Sequence, residues 1–197
     1  MKKILLFIAV AVLTFTTAQS QEVRLGAKVG LNVASLGGDS YGVGSFGART
    51  SFHLGALAEI PLKGKFALQP EILYSSEGSD WSFGIGESNI KLDYIRIPVL
   101  GKYYIIEGLS AELGPTFGVL VSAKQGDVDD DSVKDYYKSF DAAISIGATY
   151  RLNMGVFFSL RYNKGLMNVN EEYIEDGFTY AYKSQSNVFQ VSAGYSF

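Results

Sequence analysis

From Val23 onward, apolar and polar side chains alternate with a period of two, segment after segment. Val23, Leu25, Ala27, Val29, Leu31 and Val33 take turns with Arg24, Gly26, Lys28, Gly30 and Asn32. Phe52, Leu54, Ala56, Ala58 and Ile60 alternate with His53, Gly55, Leu57 and Glu59. Phe66, Leu68, Pro70, Ile72 and Tyr74 do so with Ala67, Gln69, Glu71, Leu73 and Ser75. Successive residues of an extended chain point to opposite sides, so each segment predicts a strand with one apolar and one polar face. Five further segments obey the same rule, near residues 91–105, 109–121, 140–151, 154–163 and 189–197. Eight strands are predicted, and no segment reads as a helix.

The connections carry separate information. Residues 35–50, 77–89, 123–138 and 167–186 are long, polar and rich in Gly, Ser or Asp, and read as loops. Lys63-Gly64, Glu107-Gly108 and Leu152-Asn153 read as tight turns. Long and short connections alternate strictly. An antiparallel barrel in an outer membrane has this asymmetry, with short periplasmic turns and longer external loops. Both ends of the barrel chain then lie on the short-turn side. A soluble sandwich gives no reason for one end to hold every long connection.

Alternation leaves open which face points outward, because a soluble ligand-binding barrel turns its apolar face inward. Three features favour an apolar exterior. The polar face is rich in Gly, Ser, Asn and Thr and carries charges of both signs: Lys28, Glu59, Glu71, Arg96, Glu112, Asp141, Arg151 and Arg161. Such a face suits a narrow interior filled by paired and hydrogen-bonded side chains. Aromatics on the apolar face gather at strand ends. Phe66, Tyr103, Tyr150, Tyr195 and Phe197 fall at the short-turn rim, and Phe52, Tyr74, Phe140 and Tyr162 at the other. Two such rims resemble the aromatic girdles of a bilayer barrel. The strands also run to about 10 residues, enough for a tilted strand to cross hydrocarbon.

Composition narrows the reading further. The 197 residues are 47% hydrophobic and 14% aromatic, with 22 glycines and no cysteine. That excludes disorder, collagen and coiled coil, along with disulfide staples and thiolate metal sites. A formal charge of −3 offers no basic cluster for nucleic acid. Met1-Lys2-Lys3, the apolar run from Ile4 to Phe15 and the small residues up to Gln21 predict a secretory signal peptide over residues 1–20. Cleavage after either Ala18 or Ser20 fits, leaving a single barrel domain to residue 197. No cysteine follows the apolar run, so no lipid anchor is expected.

Four stretches carry a resemblance: Gly26-Ala27-Lys28-Val29-Gly30-Leu31-Asn32, Leu68-Gln69-Pro70-Glu71-Ile72-Leu73-Tyr74, the run from Leu92 to Leu100 through Ile97-Pro98, and the closing Val191-Ser192-Ala193-Gly194-Tyr195-Ser196-Phe197. In their order and spacing the chain resembles the Bacteroidota outer-membrane β-barrel family, the PorT-like group. The resemblance implies fold and location; most members have no assigned activity. The terminal aromatic Phe197 resembles the signal read by the barrel assembly machinery, which implies a transient partner during biogenesis. The expected surroundings are outer-membrane lipid and lipopolysaccharide, with a surface or periplasmic protein as a possible further partner.

The candidate chemistry is sparse, and no catalytic, metal or cofactor residue is expected. His53 is the only histidine; it lies beside Ser51 near the external rim but faces inward by parity. Asp127-Val128-Asp129-Asp130-Asp131 lacks the spacing of a calcium loop and reads as solvated, as does the stretch holding Glu171, Glu172, Glu175 and Asp176. Gly42-Val43-Gly44-Ser45-Phe46-Gly47 precedes a strand and not a helix, so it is no dinucleotide fingerprint. Trp81 and Phe83 stand in the second long connection, available to lipopolysaccharide, to a surface partner or to the barrel mouth. The reading is an eight-stranded antiparallel transmembrane β-barrel with a structural or surface-interaction role. Its alternatives are a narrow pore or transport accessory, a lipid-modifying enzyme, and a soluble ligand-binding barrel. Protein recovered from the outer membrane should begin at Gln19 or Gln21 on N-terminal sequencing; an intact Met1 would overturn the signal-peptide reading.

Overall fold

The computed structural model describes residues 23–38, 44–83, 86–126, 131–171, 173–175, 178–180 and 183–197. The predicted signal peptide lies outside them. Among the described residues ten strands follow in order: β1 (Arg24–Gly38), β2 (Gly44–Pro61), β3 (Phe66–Phe83), β4 (Gly86–Ile106), β5 (Leu109–Gln125), β6 (Phe140–Arg151), β7 (Val156–Gly165), β8 (Tyr173–Glu175), β9 (Phe178–Tyr180) and β10 (Ser184–Ser196). Strands β8 and β9 form a small separate hairpin. The other eight close into one antiparallel barrel in the order β1-β10-β7-β6-β5-β4-β3-β2. Closure is made by β10 on β1, from Gly26↔Ser196 to Gly38↔Ser184. A closed ladder pairs its backbone groups internally, the condition for crossing hydrocarbon with strands.

Burial alternates along the strands, and the apolar face is the outer one. Leu31, Leu113, Ile146 and Phe158 are exposed, while their neighbours Asn32, Glu112, Ser145 and Ser159 are buried. Eight strands enclose a lumen that side chains alone can fill. Apolar residues standing outward along every wall would aggregate a soluble protein and suit a lipid surround.

The aromatic residues predicted to rim the barrel stand on the outer face near the two ends. Phe66 and Tyr103 are cross-strand partners with rings 5.1 Å apart, and Tyr195 meets Phe197 edge-on at 5.3 Å. Tyr150, also exposed, pairs with Leu109 and with Phe158. At the other end Phe52 and Tyr74 lie 5.9 Å apart, Phe140 stacks on Phe117 at 6.3 Å, and Tyr162 pairs with Phe189.

The connections differ from the sequence expectation. Much of 35–50 and 77–89 is strand: β1 runs to Gly38, β2 begins at Gly44, and β3 and β4 continue until Phe83 pairs with Gly86. Several strands therefore exceed 10 residues, reaching 21 in β4. Gly, Ser and Asp have poor strand propensity, but cross-strand pairing to an existing ladder outweighs it. Residues 123–138 end β5 and then form a 3-10 helix, Asp131–Tyr136, where no helix was expected. Residues 167–186 contain the β8–β9 hairpin. The tight connections after Leu62, Ile106 and Leu152 are turns, as expected.

Long strands need local repairs. The β2–β3 register shifts between Ala48 and His53, and side chains take over there. Asn32 Nδ2 and Ser51 Oγ donate to the Ser76 carbonyl at 2.7 and 2.6 Å, and Arg49 Nη1 donates to the Glu77 carbonyl at 2.6 Å. Gly78, with φ of +121°, lies in the same stretch, and a Cβ there would overlap the Ile90 carbonyl oxygen. Above this level the lumen is closed by an apolar cluster of Leu36, Ile90, Leu92, Tyr94, Leu120, Ala123 and Val169, with Val133 and Tyr137 packed against it. The covering segments are stitched together by the Tyr137↔Asn170 bridge and by Lys138 N–H donating to the Val169 carbonyl at 2.8 Å. Burial pushes the Tyr137 phenol up to about 12.

Replacing Gly78 by Ala should lower barrel stability by about 1–3 kcal/mol, from a strained backbone and a carbonyl overlap together. Gly64→Ala, at φ +72° with nothing within 4 Å, meets only the backbone restriction and should cost less. Urea unfolding in lipid vesicles would read both; equal midpoints would refute the packing argument.

Candidate functional site

The inward faces of β1 to β7 bring the buried charges of the described residues into the lumen, where they form three clusters stacked along the barrel. Lipid outside and packed side chains inside leave little water to solvate a charge, so each must find an opposite partner.

Nearest the short turns, Glu59 is the hub. Its Oε1 accepts from Arg24 Nη1 at 3.1 Å, Arg151 Nη1 at 3.0 Å and the Tyr104 hydroxyl at 2.6 Å. Its Oε2 accepts from Lys102 Nζ at 2.9 Å. Lys102 also donates to Gln69 Oε1 at 2.9 Å, and Gln69 Nε2 donates to Glu71 Oε1 at 2.6 Å, linking this cluster to the next.

In the middle, Arg161 lies between two carboxylates. It makes a two-pronged bond to Glu71, at 2.8 and 2.9 Å, and donates to Glu112 Oε1 from Nε and Nη2 at 3.1 and 3.0 Å. Lys28 Nζ completes the set on Glu71 Oε2 at 2.8 Å. Two cations meet two anions, with all four side chains at most 2% exposed. The forked geometry is the one guanidinium and carboxylate groups match best.

Toward the end away from the short turns, Arg96 grips Glu77 with Nε and Nη2, at 3.0 and 2.6 Å, and reaches Asp141 Oδ2 with Nη1 at 2.5 Å. Its guanidinium lies 4.2 Å from the centre of the Tyr94 ring. Ser75 and Ser186 add hydroxyl donors to Glu77 at 3.0 and 2.9 Å. Asp141 Oδ1 and the Tyr94 hydroxyl are buried without a hydrogen-bond partner among the described residues.

Lys28, Glu71, Glu112 and Arg161 thus share one cluster, Arg96 and Asp141 a second, and Glu59 and Arg151 a third. Lys102, Glu77, Tyr94 and Tyr104 are members that the sequence reading left out of the network. Lys102 stood on the polar face and could have been included. Glu77 was assigned to a loop, although Ser75, Glu77 and Ser79 continue the inward parity of β3.

His53 belongs to a neutral chain of its own. Asn32 Nδ2 donates to the carbonyls of Phe52 and Ser76, which leaves Asn32 Oδ1 as an acceptor. The 2.8 Å contact from His53 Nδ1 to that oxygen is then a donation, so Nε2 accepts from Ser192 Oγ at 2.8 Å. Hydroxyl, imidazole and amide are connected like a nucleophile, a base and its orienting group. Access is missing. His53 is fully buried, and a Cβ added at Gly30 would sit 2.6 Å from its ring, leaving no place for a substrate carbonyl. Gln190 Nε2 also donates to Asn32 Oδ1, at 2.9 Å, so the group braces β1, β2, β3 and β10.

Of the other stretches singled out in the sequence, residues 127–130, 172 and 176 lie outside the described residues, as do 42 and 43. Gly44 to Gly47 belong to β2, and Trp81 and Phe83 to β3. No group of three or more metal-ligating side chains occurs among the described residues.

A family model described as outer membrane protein beta-barrel domain matches residues 17–171. No curated protein is similar to the chain in sequence. Among solved structures, Ail, the attachment invasion locus protein of Yersinia pestis, superposes with a TM-score of 0.50 at 12% identity, over 89% of this chain and 99% of Ail. Neisserial surface protein A superposes with a TM-score of 0.50 at 13% identity, over 88% of this chain and 97% of its own. At such identities the likeness concerns the fold.

Arg161→Leu should destabilise the barrel by about 3–5 kcal/mol, because Glu71 and Glu112 lose their shared partner while buried. The double variant Arg161→Leu, Glu112→Gln, which leaves Lys28 paired with Glu71, should regain much of that loss. Urea unfolding in vesicles measures both; a single variant as stable as the parent would contradict the pairing.

Proposed function

Because the chain belongs to the outer membrane protein beta-barrel domain family, we propose that this small outer-membrane barrel has a structural or surface-interaction role. Its contact surface is the strand extensions and loops beyond the external girdle. The observation that carries the reading is the occupied lumen. Three ion clusters occupy it, an apolar cluster packs beyond them, and a cavity beside Lys28, Lys102 and Arg161 amounts to about 10 Å³. That is room for one water. Long strands extending past the girdle make a stiff platform for loops that binding can use.

A narrow pore or transport accessory is the second reading, favoured by a charged lumen running the length of the barrel. The triad-like arrangement at His53 is the only support for a lipid-modifying enzyme, and its enclosure argues against it. The finer family placement, the PorT-like group of Bacteroidota, rests on the four stretches quoted from the sequence. Export by a cleaved signal peptide, recognition of Phe197 by the assembly machinery and contact with lipopolysaccharide belong to the same proposal.

The purified outer-membrane fraction should show a band whose mobility changes on boiling. The same protein in a planar bilayer should give no steady conductance. Regular discrete steps would replace the interaction reading by the pore, and recovery from the soluble periplasm without a heat shift would overturn both.

A further inference from the structure

The three clusters differ in charge balance. In the middle, Lys28 and Arg161 face Glu71 and Glu112. At the external end one cation, Arg96, faces two carboxylates, Glu77 and Asp141. At the short-turn end Arg24, Lys102 and Arg151 converge on Glu59 alone. The excess of positive charge lies where the barrel opens to the periplasm.

That end is also open. Two open hollows of about 410 and 480 Å³ adjoin it, and Arg24, Glu107, Gly108 and Arg151 border both. The Arg24 side chain is 38% exposed and that of Arg151 20%, whereas Glu59 is 3% exposed behind them. Among the described residues, each guanidinium makes its hydrogen bond to a side chain through Nη1, on the same oxygen of Glu59. Five N–H groups per guanidinium leave donors for a second anion on the open side. The Tyr104 ring, 5.7 Å from Arg151, and the neighbouring Phe66 and Ile106 give the hollow an apolar wall.

We propose that this periplasm-facing vestibule binds a small oxyanion, a carboxylate or a phosphate group, between Arg24 and Arg151. Paired guanidinium groups recognise either group by parallel N–H donation. Glu107 at the rim opposes an anion there, so the charged head seats inward against the arginines. The rest of the ligand lies toward Phe66 and Ile106. Lys65, held on the Ile105 carbonyl at 3.2 Å, adds positive charge at the edge without closing it. The lumen beyond is filled, so the vestibule is a dead end.

The test is NMR of the whole barrel in lipid nanodiscs with 15N-labelled arginine. Inorganic phosphate and sodium acetate are titrated separately against sodium chloride at equal ionic strength. The Nε–H signals of Arg24 and Arg151 should move saturably, with apparent affinity at least tenfold above that for chloride. Saturation by phosphate alone assigns a phosphate ligand, and saturation by acetate alone a carboxylate. Arg24→Gln and Arg151→Gln should each weaken binding at least tenfold, and Glu107→Gln should tighten it several-fold. Arg24 is the more exposed of the two, and a retained heat-modifiable band shows that a variant is folded. Shifts that follow ionic strength alone, or affinity within twofold of the parent in both arginine variants, would overturn the proposal.

Discussion

Everything in this barrel depends on one constraint: a charge pointing into the lumen has little water to turn to. The outer face meets hydrocarbon and the inner face meets packed side chains, so an unpaired ion is costly on either side. The solution is pairing across the lumen. Arg161 on β7 holds Glu71 on β3 and Glu112 on β5, and Arg96 on β4 holds Glu77 on β3 and Asp141 on β6. Neighbouring strands are already joined by their ladder. Apart from Arg96–Glu77, which joins the neighbours β3 and β4, these bonds tie strands that are not neighbours, and so brace the cross-section against collapse.

The same pairing shapes what the molecule can pass or bind. Balanced charge in the middle and an apolar cluster toward the other end occupy the lumen. A barrel so filled works through its ends. At the end away from the short turns the long strands carry the covering segments. At the short-turn end three cations, Arg24, Lys102 and Arg151, meet on Glu59 beside an open hollow. The two ends therefore suit different chemistry.

The His53 chain shows why connectivity alone is weak evidence of catalysis. Ser192, His53 and Asn32 stand at hydrogen-bond distances a hydrolase would use. Burial and the close approach of Gly30 turn the same geometry into a brace. A reactive site needs space for a second molecule as well as the right partners.

Which way each side chain points was legible in the sequence, because strand geometry sets direction with a period of two and lipid demands an apolar exterior. That single rule places Leu31 outside and Asn32 inside, yields the strand count, and puts the short turns at one end. Parity carries no information about height or about which strand stands opposite across the lumen. It could not say that Arg161 would meet Glu71, 90 positions away, or that Lys102 would pass Glu112, its register partner, to reach Glu59. The extent of the strands was hidden too: Ser, Gly and Asp between 77 and 83 are poor strand formers alone, and only the ladders to β2 and β4 make them strand. Glu77, a buried partner of Arg96, was lost with them. Direction is a property of the local backbone, so the sequence determined it; pairing is a property of closure, so only the folded barrel decided it.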